Sequence, residues 1–427
     1  MALKRAIKRW DLVALTINGI IGAGIFGLPS MVYGLTQTYS LFVVLGCGIL
    51  VGFLIFTFAE VSSRFSSTGG PYLYAHAAFG KIVGYEVGWL MWLTRISAFA
   101  AVCNLLVTYV AFFWPEAASY PWRGVLITLV VIFLTIINLA GVRQSATTSN
   151  VLVIGKLIPL ILFIVVGLFF LNTSRFTLEQ PPSSSSISSA IMIMIFAFSG
   201  FEISTIAAGE IRSPRRNLPT AMIISLFTVI TIYILIQVIC IGTLDNLAES
   251  GSPLADAAVV FMGKPGAVII SLGAIVSMMG ALNVTLLSCT RLPYAMAEQK
   301  QIPSLFSRIH PRFSTPHVSI LISSVAILVV SLGFSFMGAV TINVIIKLIT
   351  YVIVCLGLPV LRFKTNVQEA RFKIRGGVLI AFVSLVVCVW LLLNSSWKEA
   401  YYVVMASSAG MIFYLSYQLS KKIRNPK

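Results

Sequence analysis

The sequence predicts an all-α integral membrane protein of about twelve transmembrane helices. Three observations carry that reading. Of 427 residues 58% are hydrophobic and only 10% charged, with mean hydropathy +0.97, whereas soluble domains carry roughly 25% charged residues. The apolar residues come in long runs separated by short polar gaps. The net charge of +17 is concentrated in those gaps, which is the pattern of topology determinants and not of a nucleic-acid-binding face.

A spanning helix needs about 20 mostly apolar residues. Such runs fall near 11–35, 41–62, 82–113, 122–140, 149–171, 189–209, 219–243, 265–296, 317–335, 340–361, 375–394 and 398–419. The positive start and long first run read as a retained helix and not as a cleaved leader. No soluble domain is expected, so 1–427 forms one unit. The longest loops lie near 64–81, 172–188, 244–264 and 297–316, and the third is expected to hold short interfacial helices. With the N-terminus in the cytoplasm, 24 of the 30 Lys and Arg residues (Lys156 among them) fall on the inner side. Only Arg123, Arg175, Lys264 and Lys398 fall outside, and Arg95 and Lys347 lie deep in helices. That bias puts both termini inside, in a cell membrane.

Other classes fit poorly. The cysteines (Cys47, Cys103, Cys240, Cys289, Cys355 and Cys388) lie in apolar runs without CxxC pairs, so no disulfide framework, metal site or cofactor is expected. His76, His310 and His317 fall in predicted cytoplasmic loops, not at ligand spacing, which argues against an enzyme. No segment repeats a filter-like string, as a channel would need.

Two runs resist being continuous helices. The first holds Asn18-Gly19-Ile20-Ile21-Gly22-Ala23-Gly24-Ile25-Phe26-Gly27-Leu28-Pro29, with glycines costing about 1 kcal/mol each in a helix interior. The sixth holds Phe196-Ala197-Phe198-Ser199-Gly200-Phe201-Glu202. Interrupted segments opening two halves suit two five-helix inverted repeats, 11–171 and 189–361, followed by two extra helices over 375–419. Close helix packing through small residues is the plainer explanation for any one glycine, but it explains a matched pair poorly. Exposed backbone at that depth belongs beside a cavity. A half-helix N-terminus after Gly22–Gly24 offers N–H groups to a carboxylate, and unwound carbonyls offer acceptors to an ammonium. Together they complement a zwitterion.

These residues resemble the amino acid–polyamine–organocation (APC) family of permeases, which share the LeuT-type inverted-repeat fold. The resemblance runs from Trp10-Asp11 and Gly22-Ala23-Gly24-Ile25-Phe26 through Ala59-Glu60, Thr68-Gly69-Gly70-Pro71-Tyr72 and Gly200-Phe201-Glu202. It continues through Gly209-Glu210-Ile211, Pro214-Arg215-Arg216-Asn217-Leu218-Pro219, Ile302-Pro303, His310-Pro311-Arg312-Phe313 and Thr315-Pro316. It implies a secondary amino acid transporter working by alternating access, by exchange or proton symport. Its substrate site lies between segments 1, 6, 3 and 8, around Ile21 to Ile25 and Phe196 to Glu202. Backbone at Ala23, Gly24 and Ile25 would hold the substrate carboxylate; carbonyls at Phe196, Ala197 and Ser199 would hold its amino group; Phe196 would be the lid. Ala23 stands where relatives often have a hydroxyl, which leaves the carboxylate to backbone donors. Segment 8 adds Ser277, Asn283 and Cys289 as candidates.

Lys156 has a plain reading, a snorkelling lysine reaching for headgroups. The resemblance gives it a sharper one: sodium-independent members carry a lysine here, in place of an ion between helices 1 and 5, and a buried lysine can also carry protons. Na⁺ independence follows. Glu202 either bonds the unwound backbone or meets a cationic substrate group. Glu60 and Glu86 could pair with Arg64 or with cytoplasmic loop arginines as an inner gate, or lie solvated at the surface. Phe198, Phe201 and Ala23 favour neutral amino acids; the alternative is a cationic amino acid or polyamine paired with Glu202. The expected partners are that small molecule and the lipid bilayer, with no nucleic acid.

Overall fold

The computed structural model describes residues 7–424, apart from Thr68, Gly141, Glu179, Ala207, Arg312, Ser314 and Ser396, and apart from the side chains of 142–154, 210, 398–400 and 422–424. Thr68, Arg312, Lys4, Arg5 and the side chains of Arg143, Glu210 and Lys398 therefore lie outside the described residues. Among those described the chain is helical throughout. In order come α1 (Arg9–Ile20), α2 (Gly24–Thr36), α3 (Ser40–Ser62), α4 (Pro71–Phe79) and α5 (Lys81–Ala111). Then follow α6 (Trp122–Ala140), α7 (Val142–Gly167), α8 (Ser184–Phe198), α9 (Glu202–Ile206) and α10 (Pro214–Thr243). The rest are α11 (Pro253–Glu298), α12 (His317–Gly333), α13 (Phe336–Phe363), α14 (Gly377–Leu393) and α15 (Trp397–Arg424).

Among the described residues, six stretches are long and apolar enough to cross a membrane: Gly24–Ser62, Lys81–Ala111, Trp122–Ala140, Pro214–Thr243, Pro253–Glu298 and Phe336–Phe363. Four shorter apolar helices accompany them. Large apolar side chains cover outward faces, among them Ile132 and Ile136 on α6, Val325 and Val329 on α12, and Phe382 and Val386 on α14. Such surface is stable only against lipid.

Local chemistry sets the ends. Ser183 caps α8 by accepting from the Ser186 amide at 3.1 Å, and Ser335 caps α13 through the Gly338 amide at 3.3 Å; these bonds satisfy donors the helix cannot. Pro71 and Pro214 open α4 and α10, where a missing N–H costs nothing. Gly263, at φ 65°, divides α11, so the 244–264 loop does hold a short helix, Pro253 to Met262.

Several boundaries depart from the sequence reading. Helix α4 occupies Pro71–Phe79 within the 64–81 loop, so His76 is helical, as is His317 at the start of α12. The polar stretch before 149 is also helical. Lys156 accordingly sits fourteen residues into α7, roughly 21 Å from its start at 1.5 Å per residue, not seven or eight residues in. At the centre α5 packs against α11 and α13, α3 against α10, and α2 against α8.

Candidate functional site

The first break lies between α1 and α2. Ile21 leaves helical geometry at ψ 85°, and the chain re-enters a helix at Gly24. The first N–H groups of a helix have no intrahelical acceptor, and among the described residues the Ala23, Gly24 and Ile25 amides have no backbone partner. Close approach explains the glycines here. A Cβ on Gly24 would stand 2.7 Å from the Ala197 Cα, and one on Gly19 would stand 3.0 Å from the Gly200 carbonyl oxygen.

The second break lies between α8 and α9. Gly200 adopts φ +114°, and any Cβ there would run into the Gly19 carbonyl, so only glycine fits. The two interruptions are therefore in direct contact. Within the second, the Ser199 hydroxyl donates to the Phe196 carbonyl at 2.7 Å, and the Gly200 amide donates to Glu202 Oε2 at 2.9 Å. The Tyr233 hydroxyl reaches the Ala197 carbonyl at 2.8 Å and the Ile20 carbonyl at 3.2 Å. The Phe196 carbonyl thus already accepts from both the Ser199 hydroxyl and the Ser199 amide, the latter at 3.3 Å, whereas the Ala197 carbonyl, bonded by Tyr233, keeps a second lone pair.

Lys156 is fully buried. Its Nζ donates to the Ile21 carbonyl at 2.6 Å and the Asn18 carbonyl at 3.1 Å, the acceptors that unwinding of α1 releases. The side chain reaches into the protein and not toward headgroups.

Sequence reasoning left Arg95 on α5 and Lys347 on α13 without partners. Both converge on Glu202: Arg95 Nη2 lies 3.5 Å and Lys347 Nζ 3.4 Å from Oε1. Lys347 also donates to Ser199 Oγ at 2.5 Å, and the Tyr351 hydroxyl approaches Glu202 Oε2 at 3.4 Å. The cavity against this cluster measures only about 10 Å³, room for a single water at most. Two cations and one carboxylate therefore share a dry site with a surplus positive charge.

Phe196 meets Phe336 edge-on, with ring centroids 6.4 Å apart. Toward the start of α8 beyond it opens a cavity of about 320 Å³ lined by Leu35, Ser189, Met192, Ile193 and Val344, among others. Phe198 and Phe201 instead serve helix packing. Phe198 lies against Tyr233 at 5.0 Å, and Phe201 lies between Phe58 and Tyr351 at 5.2 and 5.8 Å. Ser277 and Cys289 are buried in α11, and Asn283 accepts from Asn138 at 3.1 Å. Glu60 is buried and takes two hydrogen bonds of 2.7 Å from Arg362, with Arg64 at 3.9 Å; Glu86 accepts from Ser407. The main partner of Glu60 is thus Arg362, one of the predicted cytoplasmic loop arginines, and not Arg64.

The sequence matches the amino acid permease family over residues 7–416. It is 32% identical to the serine/threonine exchanger SteT of Bacillus subtilis (strain 168) over 331 residues, 74% of each chain. Over 441 residues it is 23% identical to the methylthioribose transporter of the same organism, covering 99% of this chain and 95% of the relative. Over 438 residues it is 26% identical to the branched-chain amino acid permease BcaP, again of that organism, covering 97% and 93%. The family match spans both breaks, Lys156 and the Glu202 cluster. The chain belongs to the amino acid permease family, whose members are membrane transporters and not enzymes.

Proposed function

We propose that the chain is a Na⁺-independent secondary transporter of neutral L-amino acids, working by alternating access across a cell membrane. The supporting observation is the Lys156 ammonium on the Asn18 and Ile21 carbonyls. A fixed positive charge on the acceptors freed by the first break leaves them unavailable to a metal cation. It also holds α1 at the end of its first half.

In this reading the amides of Ala23, Gly24 and Ile25 receive the substrate carboxylate, in the field of the α2 N-terminus. The Ala197 carbonyl, through its second lone pair, and the Ser199 carbonyl receive the ammonium; the Phe196 carbonyl joins them by giving up one of its two Ser199 bonds. Phe196 is the lid between this site and the 320 Å³ cavity, which is the outer vestibule. The packed region around Glu202 is the inner closure. Twelve spans, with α1/α2 and α8/α9 each counted as one interrupted span, put both termini inside, as the basic residues require. The spans form a 5+5 inverted repeat followed by two extra helices.

The preference for a neutral side chain rests on the cluster. Glu202 is engaged by two cations and a backbone amide, so it is not a free counter-charge, and the surplus charge repels a cationic substrate. Similarity to a serine/threonine exchanger supports small neutral amino acids as the first candidates.

The test is thermal stabilisation of the purified protein by each of the twenty amino acids, putrescine, agmatine and methylthioribose, with and without Na⁺. A ligand at 100 times its Kd stabilises the bound form by about 2.7 kcal/mol. A shift with a neutral amino acid, unchanged by Na⁺, is expected. A shift only with arginine, lysine or a diamine would move the assignment to a cationic carrier, and one only with methylthioribose would move it outside amino acids.

A further inference from the structure

Away from the breaks, a cavity of about 190 Å³ lies between α5, the end of α11 with the turn after it, and the middle of α15. Trp89, Trp92, Met296, Ile302, Phe306 and Phe413 wall it. Both indole N–H groups are engaged elsewhere: Trp89 donates to the Ala406 carbonyl at 2.9 Å and Trp92 to Ser323 Oγ at 3.0 Å. The rings therefore offer only carbon to the cavity. An amino acid placed there would bury its carboxylate and ammonium without partners, at a prohibitive cost. Hydrocarbon meets no such penalty.

The rim has the opposite chemistry. The turn after α11 is tied to α15 by Gln418, whose Nε2 donates to the Lys300 carbonyl at 3.5 Å. Lys300 is exposed in that turn, and exposed Lys421 follows Gln418 on α15 by three residues, about one helical turn. Exposed Arg308 stands two residues past Phe306. The acids of the neighbouring helices face other groups: Tyr294 donates to Glu298 at 2.6 Å, and Ser407 donates to Glu86. Leu305 and Ile309, beside Arg308, and Leu415 and Leu419 on α15 are exposed apolar side chains. A hydrocarbon slot thus opens beneath a cationic rim, on the face that the charge bias assigns to the cytoplasm.

We propose that this slot binds an anionic phospholipid of the inner leaflet, one acyl chain lying against Trp89 and Trp92 and the headgroup phosphate meeting Lys300, Lys421 and Arg308. Basic clusters at the cytoplasmic ends of membrane helices attract such headgroups, and the slot supplies the second, apolar half of the recognition. The bound lipid would bridge α15 to α5 and α11. The proposal is independent of which solute is carried.

Trp89 and Trp92 are reporters, because brominated acyl chains quench tryptophan on contact. The full chain is placed in nanodiscs containing brominated phosphatidylglycerol or, at equal mole fraction, brominated phosphatidylcholine. Phosphatidylglycerol should quench more strongly, and the excess should vanish in a Trp89→Phe/Trp92→Phe variant. Lys300→Gln and Lys421→Gln, both at exposed positions, should each lower the preference by about fivefold, converting about 1 kcal/mol per headgroup lysine. Equal quenching by the two lipids in the unaltered protein would overturn the proposal. So would a preference unchanged in the double lysine variant, or one that survives in the double tryptophan variant.

Discussion

The two interrupted spans solve one problem with opposite charges. Between α1 and α2 the freed carbonyls are met by a cation, the Lys156 ammonium at 2.6 and 3.1 Å. Between α8 and α9 a freed amide, that of Gly200, is met by an anion, Glu202 at 2.9 Å, which two further cations then hold. Lys156 satisfies backbone alone, whereas Glu202 joins backbone to α5 and α13. The first break is thus tied by Lys156 to one other helix, α7, and the second is a junction of its own backbone with α5 and α13. Loss of the second should cost more.

The largest effect is expected from Glu202→Gln. Arg95 and Lys347 would be left as uncompensated buried cations, a loss of about 3–5 kcal/mol, read as a fall in the thermal unfolding midpoint of the purified protein. A midpoint within error of the unaltered protein would remove the junction from the account. Gly200→Ala comes next: φ +114° strains any other residue by about 1–3 kcal/mol, and its Cβ would also press α9 away from Gly19. Substrate binding, followed by the same thermal shift, should be lost with it.

Lys156→Met should cost about 1–3 kcal/mol from the two unsatisfied carbonyls and should cripple uptake in proteoliposomes. Normal uptake would return Lys156 to a packing role and erase the contrast between the breaks. The smallest effect on substrate affinity is expected from Phe196→Ala. An edge-on aromatic pair is worth about 0.5–1.5 kcal/mol, so the closing equilibrium should shift by roughly tenfold at most. Transport should slow while substrate affinity stays nearly constant. An equal loss in both would mean that Phe196 binds solute and does not close over it.

Both breaks were legible in the sequence because their causes are local: glycine where a helix cannot tolerate it, and a carboxylate two residues after Gly200. The helices were legible because lipid demands long apolar runs. What joins the breaks was not legible. Arg95, Glu202 and Lys347 lie on three separate helices, and no periodicity announces that they meet. Tyr233 bonding both Ile20 and Ala197 is equally a product of packing. So is the choice of Arg362 over Arg64 for Glu60, since both are basic residues predicted at the cytoplasmic face. The early start of α7 is not marked by hydropathy because its first turns are polar, so the sequence alone puts Lys156 nearer its helix start than it lies.

The central claim is that a fixed ammonium, not a metal cation, holds the first break. Uptake of labelled serine or threonine into proteoliposomes, in matched Na⁺ and choline media at constant pH, tests it most directly. Equal initial rates in the two media are predicted, with both rates lost in Lys156→Met. Uptake that requires Na⁺ in the unaltered protein would contradict the account.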